Sequence, residues 1–448
     1  MKMKRLFCIP ATRTAGISLA VWIAGSCLVS GAEDLLLTGA TVHTVSGDTQ
    51  PDSKVLIRDG KIAGVGPAVS ATDVKVVDLK GQHLYPGIIA LNSVLGLSEI
   101  AAVRSTQDAE EVGDFTPDVQ SWISVNPDSE LIPVTRANGI ALFEPVPSGK
   151  VVSGQSGLVL VDGWTTEQTT VKKPIALHLF WPSMELDTAP RERGPNRGKS
   201  KSLEDQAKER RTKLRETMEF FQEAKAYSQA KEAAAKGSVA APQLVPAWEA
   251  MLPYVRGELP IIIHADEVRQ LRGALNWAGS NQNFKIIIAG GRDAGMLASL
   301  FAEKKVPLIY SQTFAQPARD TESYDVHFTT PHKLQEAGVK VIFGLGADSF
   351  GAPLSRNLPY SASQAVAFGL PEAEAIKGLT LYPAQIAGVA DRYGTIEVGK
   401  DATLFASDGD ILDLRAQVKH LWVSGREVSL ESRHTRLYDK YRNRPRAN

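Results

Sequence analysis

Tyr85-Pro86-Gly87-Ile88-Ile89-Ala90-Leu91-Asn92-Ser93-Val94-Leu95-Gly96 is the stretch on which the fold turns. Its Pro-Gly pair makes a turn, and the apolar run that follows lacks the alternation of a half-buried strand. Such a run reads as a strand covered on both faces, as in a parallel sheet. Similar runs recur at 140–143, 158–161, 175–180, 260–264, 285–289, 306–310 and 339–345, with helical patterns interleaved. That alternation argues for crossover helices, and eight runs predict an α/β fold built on a (β/α)8 TIM-like barrel. The runs at Leu158 and Ile175 read equally well as a hairpin beside the barrel.

Outward from the barrel, short β-rich pieces lie at 35–37, 40–42, 55–57 and 74–77, separated by turns such as Asp59-Gly60. The same grammar returns at 394–404 and 418–426. Neither set is large enough to bury its own core, so one β-sandwich assembled from both ends is the economical solution. The expected organisation is a composite sandwich from 33–85 and 389–430, a barrel over 86–388, and a basic tail over 431–448. Between the fourth and fifth runs, Ser202 with Asp205 caps a helix that Gly237 can stop, with Phe220, Ala224 and Tyr227 on one face.

Lysine plus arginine balance aspartate plus glutamate at 50 each in 448 residues, so no global field draws in nucleic acid. Local basic segments, Arg191 to Lys201 and Arg433 to Arg446, read as solvated loop and tail. Residues 1–32 read as an export signal, with Lys2, Lys4 and Arg5 before an apolar stretch and Ser30-Gly31-Ala32 offering a cleavage site. The expected mature protein is periplasmic and has no stable membrane span. Both cysteines, Cys8 and Cys27, fall in the removable part, so neither a disulfide nor a thiol nucleophile is expected.

Catalytic groups in parallel barrels project from the C-terminal ends of strands. His264 ends the run Pro260-Ile261-Ile262-Ile263, and Asp348 follows Val341-Ile342-Phe343-Gly344-Leu345-Gly346-Ala347. Read from the residues alone, His264 is either a functional imidazole or a hydrogen-bonded structural one, and Asp348 either reacts or caps the next turn. Arg356, in Arg356-Asn357-Leu358-Pro359-Tyr360, either braces its loop or grips a substrate carboxylate.

These positions resemble the amidohydrolase superfamily, and Ser153-Gly154-Gln155-Ser156-Gly157 resembles a loop of its imidazolonepropionase-like branch. Thr380-Leu381-Tyr382-Pro383-Ala384 followed by Gly399-Lys400-Asp401-Ala402 is similar to the superfamily's late signature. The resemblance implies that His264 binds metal on the fifth strand and that Asp348, on the eighth, binds metal and shuttles protons. The first strand departs from the pattern: Asn92 and Val94 stand where the superfamily carries His-x-His, and Ala289 stands near the end of the sixth strand, where a histidine is expected. Glu99 and His178 are the substitute ligands within reach of these strands, and Asn92 with Arg356 are the candidate substrate contacts.

A catalytic zinc takes three protein ligands, so a binuclear site is excluded and the set implies one divalent metal, zinc by family habit, or none. Bound metal lowers the pKa of water from about 15.7 to about 7, which eases deprotonation by roughly 12 kcal/mol. A general base alone supplies about 3 to 5 kcal/mol. The expectation is an exported hydrolase of a carbon-nitrogen bond in a small or cyclic amide with a reduced metal site. The alternative is a barrel that binds a small ligand without hydrolysing it.

Overall fold

The computed structural model describes residues 33–187 and 201–445. The export signal with Cys8 and Cys27, and the basic residues Arg191, Arg193, Arg197 and Lys199, lie outside the described residues. Among the described residues no helix is long and apolar enough to cross a membrane.

Five strands open the chain: β1 (Leu35–Val42), β2 (Gln50–Arg58), β3 (Lys61–Val65), β4 (Lys75–Asp78) and β5 (His83–Pro86). Eight follow: β6 (Ile88–Ser93), β7 (Ile140–Pro145), β8 (Val152–Leu160), β9 (Thr170–Phe180), β10 (Pro260–Ala265), β11 (Lys285–Gly290), β12 (Leu308–Tyr310) and β13 (Val341–Phe343). The last three are β14 (Leu404–Ser407), β15 (Val418–Val423) and β16 (Arg426–Glu427). The middle eight form one sheet in sequence order, and a parallel bridge from Leu91 to Gly344 brings β13 back to β6. All eight expected runs are therefore strands of one nearly closed barrel.

The hairpin alternative for Leu158 and Ile175 resolves into the barrel wall itself. β8 runs antiparallel to both β7 and β9, and the other neighbouring pairs are parallel. The segment Ser153 to Gly157, read from sequence as a loop, is part of β8. Its glycines answer to close approach rather than to a turn: a Cβ on Gly154 would lie 2.7 Å from the Val119 carbonyl oxygen, and one on Gly157 would lie 3.1 Å from the Trp122 Cβ.

β6 is buried along its whole length, as an uninterrupted apolar run requires. Gly87 lets it enter the barrel, since a Cβ there would stand 2.5 Å from that of Ala141. Along β10 the side chains alternate between two cores. Ile262 joins Ile287, Ile309 and Ile342 inside the barrel, while Ile261 and Ile263 join Leu271 and Ala274 of the helix Val268–Ser280 outside it. That alternation points His264 inward.

The other eight strands make one sheet from both chain ends, in the order β16-β15-β14-β5-β1-β2-β3 with β4 on β1. The long helix Leu203–Ala235 is capped by Ser202, whose Oγ accepts from the Asp205 amide at 3.0 Å. It buries Phe221, Ala224 and Tyr227, while Phe220, expected on the buried face, is half-buried and stacks on Phe115. The basic tail forms a helix, Arg433–Arg442, with no buried residue.

Candidate functional site

Toward the C-terminal end of the barrel the interior changes from isoleucine and alanine to a layer of polar groups. Glu144 enters from β7, Ser156 from β8, His178 from β9 and His264 from β10. Glu144, Ser156 and His178 are fully buried, and His264 is half-buried. A buried carboxylate persists only if it is hydrogen-bonded. Here Glu144 Oε2 accepts from the Asn92 amide at 3.0 Å and Oε1 from the Ser156 hydroxyl at 2.7 Å. His178 Nε2 stands 3.4 Å from Oε1.

On the far side of the ring, His178 Nδ1 is 3.0 Å from His264 Nε2. The outer imidazole is stacked flat on Phe180, with centroids 4.0 Å apart and planes 5° from parallel. Burial would push the Glu144 carboxyl up, but His178, Ser156 and the Asn92 amide outweigh it and hold the group below the usual carboxylate range. Burial, with the His178 charge second, drives His264 well below the ordinary imidazole value, so it is neutral at pH 7.

These states are compatible with one tautomer chain. An ionised Glu144 faces His178 Nε2 at 3.4 Å without hydrogen-bond geometry, and His178 Nδ1 accepts from His264 Nε2–H. The lone pair of His264 then lies on Nδ1. Among the described residues that atom makes no hydrogen bond. The arrangement is a buried acid orienting two imidazoles in series, with a basic nitrogen at the outer end.

Asn92 sits at the end of β6 in the left-handed region, φ 58°, with its side chain almost wholly buried and its Oδ1 without a partner. An orphaned acceptor of this kind costs about 1–3 kcal/mol and is a ready place for a ligand N–H or water.

Of the residues singled out from the sequence, His178 and His264 are brought together. Asp348 is exposed, and its Oδ1 accepts from the amides of Phe350 and Gly351 at 2.8 and 3.0 Å, the turn-capping geometry. Arg356 is exposed, and its guanidinium lies 3.0 Å from His434 Nδ1 on the tail helix. Glu99 is half-buried, and its Oε1 is buried without a partner.

Among the described residues no group of three or more His, Cys, Asp or Glu is placed to hold a metal ion. The two clustered imidazoles face each other through the nitrogens a metal would need, and a catalytic zinc takes three protein ligands. The residues present do not fit the superfamily's metal set, and no chemical step is assigned to a metal below.

Sequence reasoning missed Glu144 and Ser156. Their signals were a charged residue closing the apolar run 140–143 and a serine between two glycines that turned out to be a strand. It also missed Asp266, just past β10, whose carboxyl is pushed up by burial although the Arg292 amide and Gln312 Nε2 donate to it at 3.2 and 3.0 Å.

The model of the amidohydrolase family matches residues 283–428. The chain is 23% identical to amidohydrolase tasK of Hapsidospora irregularis over 451 residues, covering 89% of this chain and 43% of the relative. It is 26% identical to the dihydroorotase of Caldanaerobacter subterraneus subsp. tengcongensis over 148 residues, covering 31% of this chain and 32% of that one. The chain thus spans less than half the length of either curated relative. Among solved structures, an amidohydrolase from Thermotoga maritima MSB8 superposes with a TM-score of 0.74 at 25% identity, covering 88% of this chain and 99% of the other. A structure of molinate hydrolase superposes with a TM-score of 0.52 at 16% identity, covering 89% and 95%. The chain has the amidohydrolase-superfamily barrel fold with an incomplete cluster of metal ligands.

Proposed function

We propose that this protein hydrolyses a carbon-nitrogen bond in a small or cyclic amide, with His264 Nδ1 as the general base. The observation that carries the reading is the Glu144–His178–His264 series, which leaves His264 Nδ1 without a hydrogen bond among the described residues. A water oxygen attacks the amide carbonyl while Nδ1 takes its proton. The imidazolium so formed is stabilised through His178 by Glu144, and the same proton passes to the leaving nitrogen as the C–N bond breaks. Asn92 Oδ1 would accept the substrate N–H. Asp348 would act from its turn as a second proton carrier, and Arg356 as a rim contact.

An imidazolonepropionase-like substrate and an exported location belong to the same proposal. The resemblance at Ser153–Gly157 and the basic-then-apolar N-terminus support them in that order. A base without a metal contributes about 10²- to 10⁴-fold, so turnover should be modest.

One observation favours a second reading, a ligand-binding barrel without hydrolysis: Asp348 does not join the imidazoles in a metal-binding group. The test is a panel of cyclic and acyclic amides offered to the purified protein and to His264→Gln, with elemental analysis of both. Turnover that falls at least 100-fold in His264→Gln supports the hydrolase. Saturable binding with no product from any amide supports the binding reading. Turnover unchanged in His264→Gln removes His264 from the mechanism.

A further inference from the structure

The opposite end of the barrel carries a second site. Around the N-terminal ends of β9 to β13 lies a cleft of about 830 Å³. Its volume is within the range of small-molecule pockets. Its floor is the lowest interior layer of the barrel, where Ile175, Ile287 and Ile342 belong to the same packed core as Ile262 and Ile309. That core separates the cleft from the histidine pair.

The rim is basic. Lys172, Lys285, Lys304, Lys305 and Lys340 line it, against two carboxylates, Glu258 and Glu303. Five ammonium groups and two carboxylates leave three positive charges in excess. Glu303 is already paired with Lys304 at 2.8 Å. The remaining lysines meet neutral acceptors or nothing. Lys172 donates to the Gly388 carbonyl at 2.8 Å, Lys285 to the Glu258 carbonyl at 2.9 Å and Lys340 to Gln385 Oε1 at 2.9 Å. The Lys305 ammonium has no hydrogen bond or ion pair among the described residues.

Like charges gathered around one opening repel each other, and a bound anion relieves them. Above the buried isoleucine floor, the partly exposed Leu259, Pro307 and Ile386 reward an apolar body below that anion. Tyr382, with Lys340 standing 5.4 Å over its ring, offers a flat wall at the junction of the two zones.

We propose that this cleft is a binding site for an amphipathic organic carboxylate, with the carboxylate among Lys285, Lys305 and Lys340 and the apolar body against Leu259, Pro307, Tyr382 and Ile386. The site is independent of the chemistry proposed at the other face. A cation of the same apolar length would meet repulsion at the rim, and a short carboxylate would forgo the apolar contacts.

The test is isothermal titration calorimetry of the full chain with decanoate, decyltrimethylammonium and acetate below their micellar concentrations, repeated on the double variant Lys285→Glu/Lys305→Glu. Both lysines are exposed, so the variant should fold, and circular dichroism checks that it does. The expected result is one equivalent of decanoate bound, an affinity at least tenfold lower in the double variant, and no saturable binding of acetate or the cation. A second double variant, Lys236→Glu/Lys333→Glu, reverses two exposed lysines that do not line the cleft and should bind decanoate like the parent. Equal binding of the decyl cation, an unchanged affinity in Lys285→Glu/Lys305→Glu, or an equal loss in both double variants would overturn the assignment.

Discussion

Glu144 illustrates how much a single side chain in the barrel interior decides. It ties the end of β6 through the Asn92 amide, β8 through Ser156 and β9 through His178, all within 3.4 Å. Glu144→Gln keeps the shape and removes the charge, so the bond to Ser156 and the 3.4 Å contact with His178 lose their ionic partner. The expected cost is about 2–4 kcal/mol of unfolding free energy in a urea titration, as hydrogen bonds to charged groups contribute about 1.5–3 kcal/mol each. A loss under 0.5 kcal/mol would mean that the carboxyl is already neutral.

A second residue-scale expectation concerns His43, 3.0 Å from His83 and stacked on Tyr85. Burial, then the His83 charge, pushes its ring down to about 4, against the opposing pull of Asp410. In the unfolded chain it titrates near 6.5. Above that pH both states are neutral here and the group adds no pH dependence. Between 6.5 and 4 the unfolded chain binds the proton first, so stability falls as pH falls. The fall would be roughly 3 kcal/mol at full burial, and about 1–2 kcal/mol for a partly exposed ring. Urea midpoints at pH 7 and pH 4.5 should differ less in His43→Gln than in the parent by that amount.

At the scale of elements, the existence of every barrel strand could be read from the apolar runs, but the direction of β8 could not. A run of buried residues carries period and length, and nothing in either says which way the strand points relative to its neighbours. The segment with glycines at 154 and 157 reads from sequence as a loop because it resembles a loop of the imidazolonepropionase-like branch. Here they serve the packing of 119–122 against β8. The histidine pair was half legible: His264 closes its apolar run and His178 interrupts another, while their meeting depends on β9 and β10 being neighbours in register, with His178 opposite Ile262. Asp348 shows the converse: of the two roles its position offered, reacting or capping the next turn, the carboxylate takes the capping geometry.

The reading of β8 has a direct check. Gly154 lies at φ 126° with Val119 in the way of any Cβ, whereas Gly66 lies at φ 132° with open space around it. Gly154→Ala should cost at least about 3 kcal/mol, combining backbone strain with overpacking, and Gly66→Ala about 1–2 kcal/mol from strain alone. Equal losses in the two variants would mean that β8 does not pack on Val119.

For the whole molecule, the question is whether the sheet made from both chain ends is a separate folding unit. Its strands answer through alternation. In β14, Leu404 belongs to the sheet's own core with Val42 and Ile57, while its neighbour Phe405 belongs to the barrel core with Ile88 and Ala141. Phe405 stacks on Tyr85 at 5.2 Å, and a Cβ on Gly139, just before β7, would stand 3.1 Å from its ring. One face of the sheet thus packs into the barrel's core, and the described residues form one compact unit. Phe405→Ala should cost about 3–5 kcal/mol, the usual range for a buried phenylalanine. Because the lost contacts belong to both layers, near-ultraviolet and far-ultraviolet circular dichroism should move together to a lower urea midpoint in a single transition. A sheet that folded on its own would instead give two transitions, with the barrel's midpoint unmoved by the substitution.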